Sequence, residues 1–298
     1  MKSLLQTLLF LCIANFTFSQ INSVQLVKNV NSQLDPNAGS NPRELIDLNG
    51  TLYFGGAGSI YGQELWKSDG TPSGTVVVKD VYQGKTGGSP ENITNVNGTL
   101  YFNAFNSTMG RELWKSDGSE TGTILVKDIN PSYNHSNPEE LTNVNGTLFF
   151  IADDGTNGVE LWKSDGTSVG TVLVKDIRSG SISSSPSDLT NVNGTLFFVV
   201  DDGTNGEELW KSDGTALGTV LVKDIRTGYR SSSPTELTNF NDTLYFRADD
   251  GTNGSELWKS DGTLAGTGMV KDINPGSNSG YPNSSSPDFL TIVNNTLY

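Results

Sequence analysis

Carboxylates are the groups in this chain best placed by type and spacing to do chemistry. The hexapeptide Asp-Asp-Gly-Thr-Asn-Gly occurs three times, over 153–158, 201–206 and 249–254. It presents Asp153, Asp154 and Asn157, then Asp201, Asp202 and Asn205, then Asp249, Asp250 and Asn253. Hard oxygen ligands around glycine turns suit calcium. The spacing departs from a DxDxDG calcium loop, and the corresponding stretches upstream hold Ala57-Gly58 and Phe105-Asn106. An Asx-stabilised turn is therefore the plainer reading, with calcium the one cofactor the sequence suggests. A second set lies two residues after a recurring proline: Glu44, Asn92, Glu140, Asp188 and Glu236. Four carboxylates at one repeated position could ring a channel mouth and attract a cation or a sugar hydroxyl. A polar strand start facing water is the alternative.

A third set, Asp69, Asp117, Asp165, Asp213 and Asp261, precedes glycine each time and reads as turn caps. The only histidine, His135, has no cysteine or second histidine to share a metal with, and reads as a solvated loop residue. No GxSxG, HExxH or P-loop pattern occurs. Glycosidase chemistry needs carboxylates in divided roles, one acid and one base or nucleophile. Here the acids recur in near-equivalent settings, so no residue is assigned a catalytic role. The least repetitive stretches carry Tyr82 and Lys85; Tyr133 and His135; Arg178; Arg226, Tyr229 and Arg230; and Tyr281. Tyrosine and arginine are favoured contact residues. These stretches are candidate recognition loops, with neutral drift of exposed loops as the rival explanation.

The elements that position these groups follow from internal repetition. Glu-Leu-Trp ends at Trp66, Trp114, Trp162, Trp210 and Trp258, stepping by 48 residues each time, and Pro42, Pro90, Pro138, Pro186 and Pro234 keep the same step. In the third unit, strand A spans Leu141 to Asn145, followed by the hairpin dipeptide Asn145-Gly146. Strand B spans Thr147 to Ala152, strand C Val159 to Lys163, and strand D Thr171 to Ile177. Continuous apolar runs such as Leu148-Phe149-Phe150-Ile151 predict strands buried on both faces. The expected fold is all-β, a β-propeller of four-stranded blades with about six blades, or a truncated larger array. The tryptophans read as blade packing before sugar platforms. The repeated Lys-Asp of strand D, as in Lys175-Asp176, reads as outer-edge charge that discourages pairing with another molecule. By strand parity, the B–C and D–A loops share one face.

The ends are incomplete units. A half-repeat at 24–54 begins with Val24 to Val30, which resembles a lone strand D; residues 288–298 resemble strand A and the start of B. Together they would supply A, B and D of a sixth blade without its strand C, so the natural chain is expected to continue. Residues 1–19 read as an export signal: Lys2, a largely apolar run from Leu4 to Ala14, and small residues before Gln20. The lone cysteine, Cys12, falls inside it, so disulfides do not stabilise the mature 20–298 array. No later apolar run has spanning length. With 19 basic against 33 acidic residues, a net charge of −14, nucleic acid and anionic membrane are poor partners.

The repeated ELWKSDGT, followed by Gly-Thr and VLVKDI, resembles the ELWxxDGT-repeat proteins, also called hyalin-like. The match is specific in Glu64-Leu65-Trp66, Asp69-Gly70-Thr71 and their counterparts, with Ser119 replacing the threonine in the second unit. The resemblance implies a secreted or surface-displayed bacterial array, often the forward part of a longer protein. The functional expectation is a non-catalytic binding and adhesion module for extracellular glycans or surface proteins, where repeated weak contacts give avidity. Two alternatives are a calcium-sensitive matrix or coat component, and a propeller accompanying an enzyme or sorting domain beyond Tyr298.

Overall fold

The structure, a computed structural model, describes residues 27–28 and 39–298. The export-signal residues 1–19 and most of the half-repeat's first strand lie outside the described residues. Five four-stranded antiparallel sheets follow one another along the chain, each in sequential strand order. Blade I comprises β1 (Arg43–Leu48), β2 (Thr51–Gly58), β3 (Gly62–Ser68) and β4 (Val76–Lys79). Blade II comprises β5 (Glu91–Val96), β6 (Thr99–Asn106), β7 (Gly110–Ser116) and β8 (Ile124–Lys127). Blade III holds β9 (Glu139–Val144), β10 (Thr147–Asp153), β11 (Val159–Ser164) and β12 (Val172–Lys175). Blade IV holds β13 (Ser187–Val192), β14 (Thr195–Asp201), β15 (Glu207–Ser212) and β16 (Val220–Lys223). Blade V holds β17 (Thr235–Phe240), β18 (Thr243–Asp249), β19 (Ser255–Ser260) and β20 (Gly268–Lys271). The first strands of successive blades, β1, β5, β9, β13 and β17, touch in turn and form the inner ring of a β-propeller.

Local sequence explains each hairpin. Asn97 and Gly98 take φ of 52° and 87°, the paired left-handed conformation of a two-residue turn, and Asn95 Oδ1 accepts the Gly98 N–H at 2.9 Å. The core lies between blades rather than within any one of them. Val144, Phe149, Leu161 and Val174 of blade III pack against Leu189, Leu196, Phe198, Val200 and Trp210 of blade IV. Phe102, Phe150, Phe198 and Phe246 are fully buried, and each such ring is worth about 2–3 kcal/mol of apolar burial. The tryptophans are core residues, Trp66 and Trp258 being 5% exposed.

One sequence expectation needs correction. In blades I to IV the Lys-Asp lysines of strand D do not stand as free edge charges. Lys127 Nζ donates to the Thr171 carbonyl of the next blade at 2.7 Å and sits 5.7 Å from the Trp162 ring centroid. Lys79, Lys175 and Lys223 make the same reach, to Thr123, Thr219 and Thr267. A long aliphatic stem lets the ammonium cross to a carbonyl and an aromatic face, which is worth more than hydration at an edge.

Each incomplete unit repeats a contact made between complete blades. Lys28 Nζ donates to the Thr75 carbonyl of blade I at 2.8 Å, so it stands where strand D of a preceding blade would place its lysine. The short hairpin Ile292–Val293 with Thr296–Leu297 (β23 and β24, after the two-residue ladder of β21, Ser277–Asn278, and β22, Tyr281–Pro282) follows blade V. Leu290 N–H donates to Glu236 Oε2 at 3.3 Å, as Leu189 N–H does to Glu140 Oε2, so this hairpin begins a sixth blade position.

Candidate functional site: the acidic mouth of the axial channel

Inner-ring polarity starts with the sequence of strand A. Thr94, Thr142 and Thr190 donate their hydroxyls to Leu141, Leu189 and Leu237 carbonyls of the next blade. Asn143, Asn191 and Asn239 donate their amides back to the carbonyls of Asn95, Asn143 and Asn191. The channel wall is thus a ladder of hydroxyls and amides, a polar lining that bridges blades.

At one end of this ladder the strand bulges. Pairing shifts register between Arg43 and Ile46, Glu91 and Thr94, Ser187 and Thr190, and Thr235 and Thr238. The bulged residues Glu44, Asn92, Glu140, Asp188 and Glu236 all take positive φ, from 54° to 62°. A non-glycine residue held left-handed is strained, and bulges commonly re-aim side chains near functional sites. Glu44 Oε2 accepts the Ile93 N–H of the next blade at 3.3 Å, and Glu140 and Glu236 do likewise across their junctions. A cavity of about 320 Å³ is lined by Glu44, Asn92, Ile93, Thr94, Glu140, Leu141 and Thr142. Burial holds Glu140 above its ordinary carboxylate range, partly offset by the Leu189 N–H and reinforced by Asp188 and Glu139. Asp188 is raised by burial and then by the charge of Glu236. The structure therefore places this predicted set at equivalent bulged positions of successive first strands, and Asp188 stands close enough to Glu140 and Glu236 for their charges to interact.

The other predicted residues sit on the loop face. Within 153–158, Asp153 Oδ1 accepts the Gly155 N–H, while Asp154 accepts from the Thr156 and Asn157 N–H groups and from the Asn157 amide. Asp202 with Asn205 and Asp250 with Asn253 repeat this arrangement. Burial pushes Asp154 up, but these hydrogen bonds outweigh it and leave its pKa lowered; Asp202 and Asp250 behave alike. Each loop is thus an Asx turn that satisfies its own carboxylate. Asp201 and Asp249 carry a second contact, from Arg178 Nη1 at 3.0 Å and Arg226 Nη1 at 2.9 Å. Among the described residues no group of three or more His, Cys, Asp or Glu stands together in a metal-holding arrangement. Tyr133 and Tyr229 are exposed, as is Arg230, and His135 Nδ1 accepts the Arg111 N–H at 3.0 Å. Thus Tyr133 and His135 gather with Phe105, while Tyr229 and Arg230 do not join the channel acids.

Sequence reasoning missed the glutamate of Glu-Leu-Trp. Glu64, Glu112, Glu160, Glu208 and Glu256 are fully buried. Glu112 accepts the Ile129 N–H at 2.8 Å, the Ser136 N–H at 2.9 Å and the Ser136 hydroxyl at 2.6 Å, which pins both ends of the following D–A loop. Burial raises Glu64 and Glu112 to about 7, with neighbouring Asp80 and Asp128 adding to the rise and the loop N–H groups opposing it. The available signal was a serine recurring 24 residues after three of the five glutamates, at Ser136, Ser184 and Ser232.

No family model matches the chain, and no curated protein matches it. Solved structures do. A puromycin hydrolase S511A mutant complexed with PGG is 12% identical over 77% of this chain and 37% of its own, with a TM-score of 0.49. A prolyl endopeptidase structure is 13% identical over 77% and 34%, also at 0.49. A Mycobacterium tuberculosis puromycin-hydrolyzing peptidase is 11% identical over 73% and 36%, at 0.45. This chain spans about a third of the length of the structures it matches. The expectation of a non-catalytic adhesion module for glycans or surface proteins is corrected to the fold alone: the similar structures are of a puromycin hydrolase and peptidases, matched over about a third of their length, and lend no support to an adhesion role.

Proposed function

We propose that this propeller works through its axial channel, drawing small cationic molecules such as alkylammonium compounds to the acidic mouth. The observation that carries this reading is the ring of bulged acids, in which Glu140 and Asp188 are partly desolvated and mutually repelled. A bound cation relieves that repulsion without requiring any backbone change. The residues bind and orient; the reading gives them no bond-breaking step. Calorimetric titration with putrescine tests it. E44Q, E140Q and E236Q keep an acceptor oxygen for the neighbouring blade and D188N removes the fourth charge, so loss of binding in the folded quadruple variant supports the ring. Unchanged binding, or no binding by the native chain, leaves the acids as blade staples only.

The apolar run from Leu4 to Ala14 behind Lys2 supports export, and the ELWKSDGT units support kinship with the ELWxxDGT-repeat proteins. A native N-terminus at Gln20 by mass spectrometry is the check on export.

A further inference from the structure

The junction of blades I and II departs from its equivalents. At two later junctions an arginine lies across the groove between a D–A loop and the next B–C loop. Arg178 pairs with Asp201 and Arg226 with Asp249, and the guanidinium arms run so close over the loop that a Cβ at Gly203 or Gly251 would stand 3.0 Å from the arginine Nε. At the I–II junction Tyr82 stands in the arginine position, Phe105 in the aspartate position and Ser107 in the glycine position. Tyr82 turns its ring onto Phe105, with centroids 5.3 Å apart; Phe105 in turn stacks on His135 at 5.6 Å and meets Tyr133 edge-on at 5.9 Å. A cavity of about 330 Å³ opens there, lined by Asp80, Val81, Tyr82, Gln83, Asn106 and Ser107. Among the described residues no lysine or arginine stands within ion-pair distance of Asp80, as of its counterparts Asp176 and Asp224; with Phe105 in place of the arginine's partner, Asp80 is the carboxylate that lines this groove.

We infer that this groove binds a small alkylguanidinium ligand, the group the protein itself places in the equivalent grooves. Asp80 supplies the carboxylate, and the Tyr82 ring supplies a face on which a planar guanidinium stacks. Burial already holds the Asp80 carboxyl above its ordinary range against the opposing Gly84 N–H, so an incoming cation is favoured at this position. The site is separate from the channel mouth.

Agmatine is the probe, titrated calorimetrically into the full chain and into the E44Q/E140Q/D188N/E236Q variant, which removes the channel acids. The groove predicts saturable binding in both, with perturbed Tyr82 and Phe105 ring resonances. Y82R fills the groove with the chain's own guanidinium, and D80N removes its charge; each weakens binding by about tenfold or more. R178A empties the equivalent corner beside Asp201 and adds a second agmatine. If Y82R does not fold, D80N and R178A still decide. No saturable binding in the channel-neutralised chain, or equal affinity in D80N and an unchanged stoichiometry in R178A, overturns the site without touching the channel reading.

Discussion

Replacing Gly88 with serine should stabilise this propeller. In blades II to V a serine hydroxyl donates to the second oxygen of the buried glutamate, at 2.6, 2.5, 2.5 and 2.6 Å. Blade I has Gly88 instead, so buried Glu64 Oε2 lacks that hydroxyl, while Glu64 Oε1 accepts the Tyr82 and Gly88 N–H groups. A hydrogen bond to a charged group is worth about 1.5–3 kcal/mol, and removing a glycine from the unfolded chain adds roughly 0.4–1 kcal/mol. Against this, the new Cβ stands 3.2 Å from Glu64 Oε2, from the Phe105 carbonyl and from Val81 Cβ, so neighbours must yield a few tenths of an ångström. The net expected gain is about 1–2 kcal/mol, or roughly 2–6 °C in Tm for a chain of this size. G88A carries the same crowding without the hydroxyl and should be neutral or destabilising. Because the hydroxyl favours the ionised carboxylate, the gain of G88S should be larger at pH 8 than at pH 5. Equal Tm in G88S and G88A, or a larger gain at pH 5, refutes the reasoning.

Other outcomes follow from the same contacts. Glu64 and Glu112, raised to about 7, hold protons in the folded state that the unfolded chain has already lost above its carboxylate range near 4.5. Stability should therefore fall as pH rises from about 5 to 8, and E112Q should flatten part of that slope in a Tm-versus-pH series. K127M keeps the aliphatic stem but loses the Thr171 carbonyl and the cation over Trp162, and should cost about 1–3 kcal/mol in urea unfolding. A double-mutant cycle on Arg178 and Asp201, both about a third exposed, should give a coupling of only ~0.5–1 kcal/mol, reduced by salt. EDTA should leave Tm unchanged, since Asp154, Asp202 and Asp250 are satisfied within their own turns; a calcium-dependent rise in Tm would make those loops metal sites.

Much of the fold was legible because the hairpin chemistry is local. Asn97-Gly98 dictates its turn through φ preferences alone, and the run Leu148-Phe149-Phe150 announces a strand buried on both sides. The acid ring was legible as a repeated position, although its bulge was not: no residue type at Glu44 or Asp188 signals left-handed φ. Contacts between blades were the opaque part. A glutamate between apolar neighbours reads as a surface charge until its partners, Ile129 and Ser136 for Glu112, are known to fold back over it. The lysine of strand D reads as an edge guard until the next blade offers a carbonyl and a tryptophan.

Repetition separates architecture from individuality. The features present in every complete blade, the buried glutamate and the core tryptophan among them, are those a neighbouring blade needs in order to pack, and a propeller of identical blades would contain them all. Function that distinguishes one ligand from another must break that equivalence. Several breaks meet at one place: Asn92 interrupts the acid ring, Gly88 withholds the hydroxyl that a serine gives the buried glutamate elsewhere, and Tyr82 with Phe105 puts stacked rings where two later junctions have an ion pair. All four residues belong to the junction between blades I and II. A groove that selects one ligand needs such differences side by side, and here they lie next to the partly neutralised section of the channel mouth.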